Sequence, residues 1–415
     1  MRRVEVRLDD GATVTKVGVL LARERRIFFE FDAAFVERGQ EISPLRLPLR
    51  PGVQEGPPSP FRGLHGVFSD SLPDGWGMML MDRDLRQRGI GPETLTPVDR
   101  LAYIGSRGMG ALTYHPTTGP DDAGTADVEL DEFAAQAERL LEGNAQQVLP
   151  DLLLAGGSPG GARPKVVVGF RESDGAMISG SDRLPDGFRG YIVKFTSRDD
   201  PADSGAVELA YSRMAVAAAI DVPAARLFTT PAGARYFGAE RFDRPPGTRR
   251  HVHTLAGLLH TDFRLPEVDY EAYLRATLYL TRDHSAVVQG FRRMVFNVLA
   301  NNRDDHARNF AFLMEPDGTW HHTPAYDLTF SHGPGGEHTM AVAGEGRQPT
   351  RHHFGELAAK MSIAPAQRDA AIEQAAAAVS RWTELAAEAD VNPVLAMEIE
   401  TRIRQISEKA LAPRG

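Results

Sequence analysis

Cysteine is absent from all 415 residues. That excludes disulfides, thiolate metal sites and a cysteine nucleophile, so reactive chemistry must rest on other side chains. Long apolar runs are missing as well. Nothing approaches the ~18 consecutive apolar residues of a membrane-spanning helix, and the opening Met1-Arg2-Arg3-Val4-Glu5 alternates where a signal segment would be apolar. The expectation is a soluble, cytoplasmic protein with no membrane contact. Positive charge is in deficit, 47 Lys and Arg against 56 Asp and Glu, for a formal net charge of −9. A broad basic surface gripping nucleic acid by counterion release is therefore not expected, and any contact with DNA should be indirect. Thirteen histidines are present without a pattern such as H-E-x-x-H. His251 with His253, His321 with His322 and His352 with His353 accordingly read as surface or core residues and not as a zinc site. No nucleophile elbow occurs, so serine hydrolysis has no support. What remains is ordinary globular material, 42% hydrophobic and 25% charged, long enough for two or three domain-sized cores.

Along the chain, Val4, Val6 and Leu8 alternate with charged residues up to Asp9-Asp10-Gly11, and β-rich runs follow at Val17 to Leu21 and Ile27 to Phe31. A small antiparallel sheet should open the protein. Proline and glycine accumulate from Pro48 to Pro60, after which Asp74 is placed to cap a helix carrying Met78, Leu80 and Leu85. A second soft boundary falls at Pro116 to Thr125, ahead of a helix around Asp131 to Leu141. Short strands and one helix near Val207 to Ile220 follow, and from Asp269 the pattern is mainly helical. Near the end, Asn392-Pro393 starts a helix whose apolar stripe reads Val394, Met397, Ile403 and Ile406. Trp382 and the alanine-rich stretch around it read as core helix.

The most informative window is Asn301-Asn302-Arg303-Asp304-Asp305-His306-Ala307-Arg308-Asn309. It follows a helix in which Phe291, Met294, Val295, Val298 and Leu299 recur at i, i+3, i+4, i+7 and i+8, a rigid support with one buried face. A hairpin follows, Phe310 to Met314 and Thr319 to Thr323 about Glu315-Pro316-Asp317-Gly318, and delivers Tyr326-Asp327-Leu328. Phosphoryl transfer needs one carboxylate to orient the attacking hydroxyl, and acid or amide oxygens to hold magnesium against phosphates. An Asp, an Asn five residues on, and a further Asp beyond a hairpin meet that need. Asp304 is then the catalytic carboxylate, Asn309 and Asp327 are the magnesium ligands, and His306 braces the loop or meets a phosphate. Asp305 lies one residue too close to Asn309. The bland alternative is a solvated turn, where Asn, Asp and Arg also gather.

Upstream, Gly156-Gly157-Ser158-Pro159-Gly160-Gly161-Ala162-Arg163-Pro164-Lys165 carries four glycines in six residues, which lets backbone N–H groups close on an anion. It fits neither the Walker nor the dinucleotide pattern, and a mobile surface loop is the competing reading. The strand Tyr191 to Phe195 sets Lys194 among apolar residues. Nucleotide phosphates would supply its counter-charge and Glu208 could position it, unless it merely faces solvent. Glu240-Arg241-Phe242-Asp243-Arg244 ends the strand-rich half, where an adenine-receiving hinge would lie.

With these pieces assembled in this order, the chain resembles the HipA family of bacterial type II toxin kinases over nearly its whole length. The matching pieces are Ser158 to Lys165, Ile192-Val193-Lys194, Glu240 to Arg244, the Asp304 to Asn309 loop and Tyr326-Asp327. The Asp304, His306, Asn309 arrangement is also similar to the catalytic loop of phosphatidylinositol-3-kinase-like enzymes. The resemblance implies an α+β, two-lobed, protein-kinase-like fold: a β-rich N-terminal module at 1–110, a kinase N-lobe with the glycine-rich loop at 111–245, and a helical C-lobe with the catalytic loop at 246–415. It implies an ATP- and magnesium-dependent serine/threonine protein kinase that binds nucleotide through Gly157, Ser158, Gly160, Gly161, Ala162, Lys165, Lys194, Glu240 and Phe242. It further implies autophosphorylation at Ser158, an aminoacyl-tRNA synthetase or other translation factor as substrate, and a HipB-like helix-turn-helix antitoxin as the partner that contacts DNA. A small-molecule or lipid kinase would share the same catalytic geometry, and a non-catalytic antitoxin-binding corepressor would share the fold. Asp305 stands where the family often has a small residue, and Leu328-Thr329 follows Asp327 as is normal for it.

Overall fold

The computed structural model describes residues 2–120, 125–143, 150–156, 160–179, 183–197, 201 and 203–412. The alternation at the N-terminus does what its period requires. In β1 (Arg2–Asp9), Val4, Val6 and Leu8 turn inward between partly exposed charged residues. The strand pairs antiparallel with β2 (Val14–Arg23) about a turn in which the Asp10 carboxylate accepts from the Ala12 and Thr13 amides at 2.9 and 2.7 Å. With β3 (Arg26–Phe31), β4 (Val53–Glu55) and β5 (Leu112–His115) they form a sheet of order β4-β3-β2-β1-β5. β5 pairs with β1, Leu112 opposite Leu8, so the first sheet is completed by residues beyond the boundary expected at 110.

A second antiparallel sheet carries β6 (Lys165–Arg171), β7 (Met177–Ser179), β8 (Phe188–Lys194), β9 (Ala225–Thr229) and β10 (Arg235–Glu240) in the order β7-β6-β8-β10-β9. Its register sets Lys165 and Phe237 on either side of Lys194. Val166, Val168 and Val193 pack under it with Trp76 and Leu80 from the Gly75–Gln87 helix and Phe133 from the Leu130–Leu141 helix. The Ser204–Ala217 helix lies against β9 and β10 and presents Glu208 inward.

The remaining residues are mostly helical. β11 (His251–Thr254), β12 (Ala311–Met314) and β13 (Trp320–His322) make a small third sheet, and the hairpin about Glu315 to Gly318 has Phe312 opposite His322 and Met314 opposite Trp320. All five periodic residues of the His284–Leu299 helix are buried. That helix stops where Asn301 takes a left-handed φ of 52° and Asn302 N–H donates to Asn297 O at 2.9 Å. One apolar core runs from Val4 and Phe29 of the first sheet to Phe291 and Met294 of this helix, so the first sheet and the helical half fold as one body. The C-terminal helix, Pro393–Leu411, is capped by Asn392 as its sequence indicates, but its buried residues are Ile399, Ile403 and Ala410. Val394 and Met397 are each 61% exposed, because the first turn overhangs the body and the inward line runs through Leu395 and Ala396 instead. Among the described residues no helix is long and apolar enough to cross a membrane.

Candidate functional site

Between the second sheet and the helical half lies a cavity of about 640 Å³. Gly160, Gly161, Ala162 and Lys165 wall one side and Lys194 the back, with Glu240 and Phe242 at the end of β10. Asp304, His306, Asn309 and Asp327 form the opposite wall. Every proposed site residue that the structure describes therefore borders one space. Gly157 and Ser158 lie outside the described residues. Ile192, Val222, Ala225, Ala239 and Leu328 add an apolar lining, as a flat heterocycle requires. Phe242 stacks on Tyr326 with ring centroids 5.7 Å apart.

The polar loop separates its neighbouring aspartates. Asp305 is 1% exposed and accepts from the Tyr270 hydroxyl at 2.7 Å and the Thr339 amide at 2.8 Å, with His338 Nδ1 at 2.8 Å. It is thereby committed to holding the loop. Asp304 points the other way into the cavity, its side chain 54% exposed, with His306 Nε2 3.9 Å from its carboxylate. The His306 ring packs on Phe263 at 5.2 Å. Asn309 donates its amide N–H to Asp304 O at 2.8 Å and its own carbonyl accepts from Arg293 at 2.7 Å, so its side-chain oxygen is left for another partner. Tyr326 pins the same loop by donating to Arg308 O at 2.8 Å.

Lys194 ion-pairs with both Glu208 and Asp327. Burial pushes the Lys194 ammonium toward neutrality, but those two carboxylates outweigh it and raise its pKa above the ordinary lysine value. Burial likewise opposes charge on Asp327, yet Lys194 and Lys165 hold that carboxyl well below the usual range. Glu208, fully enclosed, is raised by burial despite Lys194. Lys165 is lowered by burial, and its Nζ donates to Gly160 O at 2.6 Å, bracing the glycine-rich turn. Asp327 has a left-handed φ of 53°, the kind of backbone strain kept where a side chain must be aimed.

Sequence reasoning missed the support under the glycine-rich turn. Asp74 occupies the N-cap position of the Gly75–Gln87 helix as expected, but makes no side-chain capping bond. Its carboxylate instead accepts from the Gly161 amide and from Arg308 Nη1, the latter at 2.9 Å. Trp76 adds two bonds, its amide to Gly161 O at 3.1 Å and its indole N–H to Lys165 O at 2.9 Å. A side chain on Gly75 would put its Cβ 2.5 Å from Ala162 Cα, so only glycine lets the helix end meet the turn. No local pattern announces a contact between residues 87 positions apart. In the sequence Asp74 was legible only as a helix start.

The magnesium ion expected here can be tested against the donor set. Among the described residues no cluster of three His, Asp or Glu side chains is built to hold a metal unaided. One amide oxygen and one carboxylate on the cavity wall are hard oxygen donors that suit magnesium when phosphate oxygens complete its shell. The residues fit on those terms.

The profile of the HipA N-terminal domain matches residues 5–115 and that of the HipA-like C-terminal domain matches residues 157–382. A chain of the Shewanella oneidensis MR-1 toxin–antitoxin complex of HipA, HipB and operator DNA is similar at 16% identity, covering 98% of this chain and 96% of that one, with a TM-score of 0.69. The Helicobacter pylori proinflammatory kinase CtkA aligns at 12% identity over 60% of this chain and 90% of its own, with a TM-score of 0.35. No curated protein matches. The fold is thus α+β and two-lobed, of the HipA type, with β-rich sheets first and a helical C-terminal lobe.

Proposed function

The chain belongs to the HipA family, and on that premise we propose that it is an ATP-dependent serine/threonine protein kinase, the toxin of a type II toxin–antitoxin pair. The observation that carries this reading is the convergence of Lys194, Glu208 and Asp327 with Asp304 and Asn309 on one cavity capped by a glycine-rich turn. A non-catalytic corepressor has no need to keep all five.

In this reading Lys194, charged and oriented by Glu208, takes the nucleotide phosphates, and Gly160 and Gly161 present backbone to them. Asn309 and Asp327 would hold magnesium, which supplies charge neutralisation to the phosphates. Asp304, whose carboxylate has no hydrogen-bond partner among the described residues, accepts the proton of the incoming hydroxyl and orients its oxygen toward the γ-phosphorus. Arg308 and Tyr326 fix the loop that carries it. The apolar lining from Ile192 to Leu328 takes the adenine beside Glu240 and Phe242.

Ser158 is the proposed autophosphorylation site. A phosphate there brings about −1.5 to −2 charges next to the nucleotide phosphates and would drive the turn from its place against Asp74. The partner is a HipB-like helix-turn-helix antitoxin, which would bring this acidic chain to DNA indirectly, and the substrate is a protein such as an aminoacyl-tRNA synthetase.

Intact mass after incubation with ATP and magnesium, followed by peptide mapping, tests the reading. One added phosphate on Ser158, absent from Asp304→Ala and from Ser158→Ala, is the expected result. No added mass in a sample shown to start unphosphorylated would overturn it.

A further inference from the structure

A second cavity of about 340 Å³ shares no lining residue with the nucleotide cavity. It is walled by Arg303, by the segment from His332 to Pro349, and by one face of the C-terminal helix. On that helix Arg402, Gln405, Ile406 and Lys409 recur at i, i+3, i+4 and i+7. Four cations, Arg303, Arg347, Arg402 and Lys409, line it, and no carboxylate does. In a chain of net charge −9 this concentration of one sign stands out.

A ring of surface lysines and arginines would ordinarily be a solvated face. Arg303 is not solvated, for it is only 6% exposed. Buried cations are normally paired with an anion. Arg303 donates to two backbone carbonyls, Gly336 O and, at 3.0 Å, Arg347 O, and has no carboxylate partner among the described residues. Arg402 and Lys409 have none either. Only Arg347 is paired, with Glu337 at 2.8 Å on the open rim. Burial and the charges of Arg402 and Arg347 pull the Arg303 pKa down, and the opposing pull of Asp305 and Glu337 does not restore it. Three of the four cations, Arg303, Arg402 and Lys409, thus have no carboxylate paired with them among the described residues.

We propose that this cavity is a binding site for a phosphate-class dianion, held by Arg402 and Lys409 from the C-terminal helix and by Arg303 at its floor. Its size suits a single phosphoryl group with a small attachment. The group could be borne by a phosphorylated protein side chain or by a small phosphate ester. The C-terminal helix lies beyond residues 157–382 matched by the C-terminal domain profile. The site is also independent of the nucleotide cavity, so its existence does not rest on the kinase reading.

The test is thermal melting of the full chain titrated with inorganic phosphate against sodium chloride at matched ionic strength. The wild type, Lys194→Ala, Arg402→Glu and Lys409→Glu are compared. Lys409 is exposed, so its variant keeps the test valid if Arg402→Glu fails to fold. The expected result is a phosphate-specific rise in Tm for the wild type that persists in Lys194→Ala, with apparent affinity at least about tenfold weaker in the two charge reversals. A rise lost in Lys194→Ala but kept in both charge reversals would put the anion in the nucleotide cavity and overturn the assignment, as would no phosphate-specific rise at all. A phosphoserine peptide and glycerol phosphate serve as further titrants. Tighter binding of the peptide than of the ester supports a protein-borne phosphate, and the reverse supports a free ester.

Discussion

Asp304 and Asp305 are identical in chemistry and adjacent in sequence, and the structure gives them opposite work. Asp305 accepts from Tyr270 and Thr339 and contacts His338 in a closed network, while Asp304 stands half exposed over the cavity. Alanine at each position should separate chemistry from stability. Asp304→Ala is expected to lower phosphoryl transfer by about 10²–10⁴-fold, the usual worth of a positioned base, with Tm within a few degrees of the wild type. Asp305→Ala orphans the buried groups it served and should cost roughly 2–4 kcal/mol. Intact-mass phosphorylation and thermal melting on the two variants check both, and a stable Asp305→Ala with full loss of transfer would reverse the assignment. At this scale part was legible: the five-residue spacing to Asn309 pointed to Asp304, which borders the cavity, and the apolar setting of Lys194 pointed to Glu208, with which it pairs, whereas its pairing with Asp327 had no signal. The Asp305 network was not, because Tyr270 and Thr339 lie 35 and 34 positions away and carry no pattern.

Elements that the period of the sequence governs came out as expected, and those that depend on a distant neighbour did not. The His284–Leu299 helix and the alternation of β1 each bury the face that their spacing marks, and the β12–β13 hairpin pairs about the turn its sequence indicates. The C-terminal helix shows the limit. Its apolar residues were readable, but which of them meets a partner depends on where the body ends, and Val394 and Met397 project past it. Val394→Ser should therefore change stability by less than about 0.5 kcal/mol, whereas Ile403→Ala, emptying a packed position, should cost about 2–4 kcal/mol in denaturant unfolding. Equal effects would contradict the packing seen. The junction between the Gly75–Gln87 helix and the glycine-rich turn makes a functional prediction. Removing the Asp74 carboxylate frees the Gly161 amide and Arg308. The loss of about 1–2 kcal/mol of ordering should raise the KM for ATP roughly tenfold, with a smaller change in kcat. A KM unchanged in Asp74→Ala would show that the turn needs no such support.

The halves of the molecule are joined by polar contacts that composition alone conceals. Asp70 accepts from the Thr254 amide and hydroxyl at 2.8 and 2.7 Å and lies 2.7 Å from His253 Nδ1, whose other ring nitrogen is 2.9 Å from Ser43 Oγ. The order Ser, His, Asp has the distances of a hydrolytic triad, yet Ser43 is 1% exposed and His253 fully buried, so no substrate reaches it. It ties the N-terminal residues to β11. Asp243, also fully buried, accepts from Arg241, Arg244 and the Gly110 amide in the same way. Two further histidines at this seam set a pH dependence. His65 and His251 are 4% and 3% exposed. Burial, with the charge of His260 beside the first and His253 beside the second, lowers each to about 4. In the unfolded chain each titrates near ~6.5. Between those values the unfolded state binds a proton that the folded state refuses, so stability is complete above pH ~6.5 and falls as the pH drops toward about 4. The slope is at most ~1.4 kcal/mol per pH unit for each residue, or roughly 2 kcal/mol each by pH ~5. The depressed carboxyls of Asp243 and Asp327 act in the same direction but only at more acid pH, so the histidines govern the upper window. Denaturant unfolding at pH 7 and pH 5 should therefore show a lower midpoint at pH 5. His251→Asn should reduce the difference by roughly 2 kcal/mol even if it lowers stability at both, because one residue that refuses the proton is gone while His65 and His322, also depressed by burial, keep the rest. A midpoint equal at the two pH values would mean that these rings meet solvent protons more freely than their burial allows.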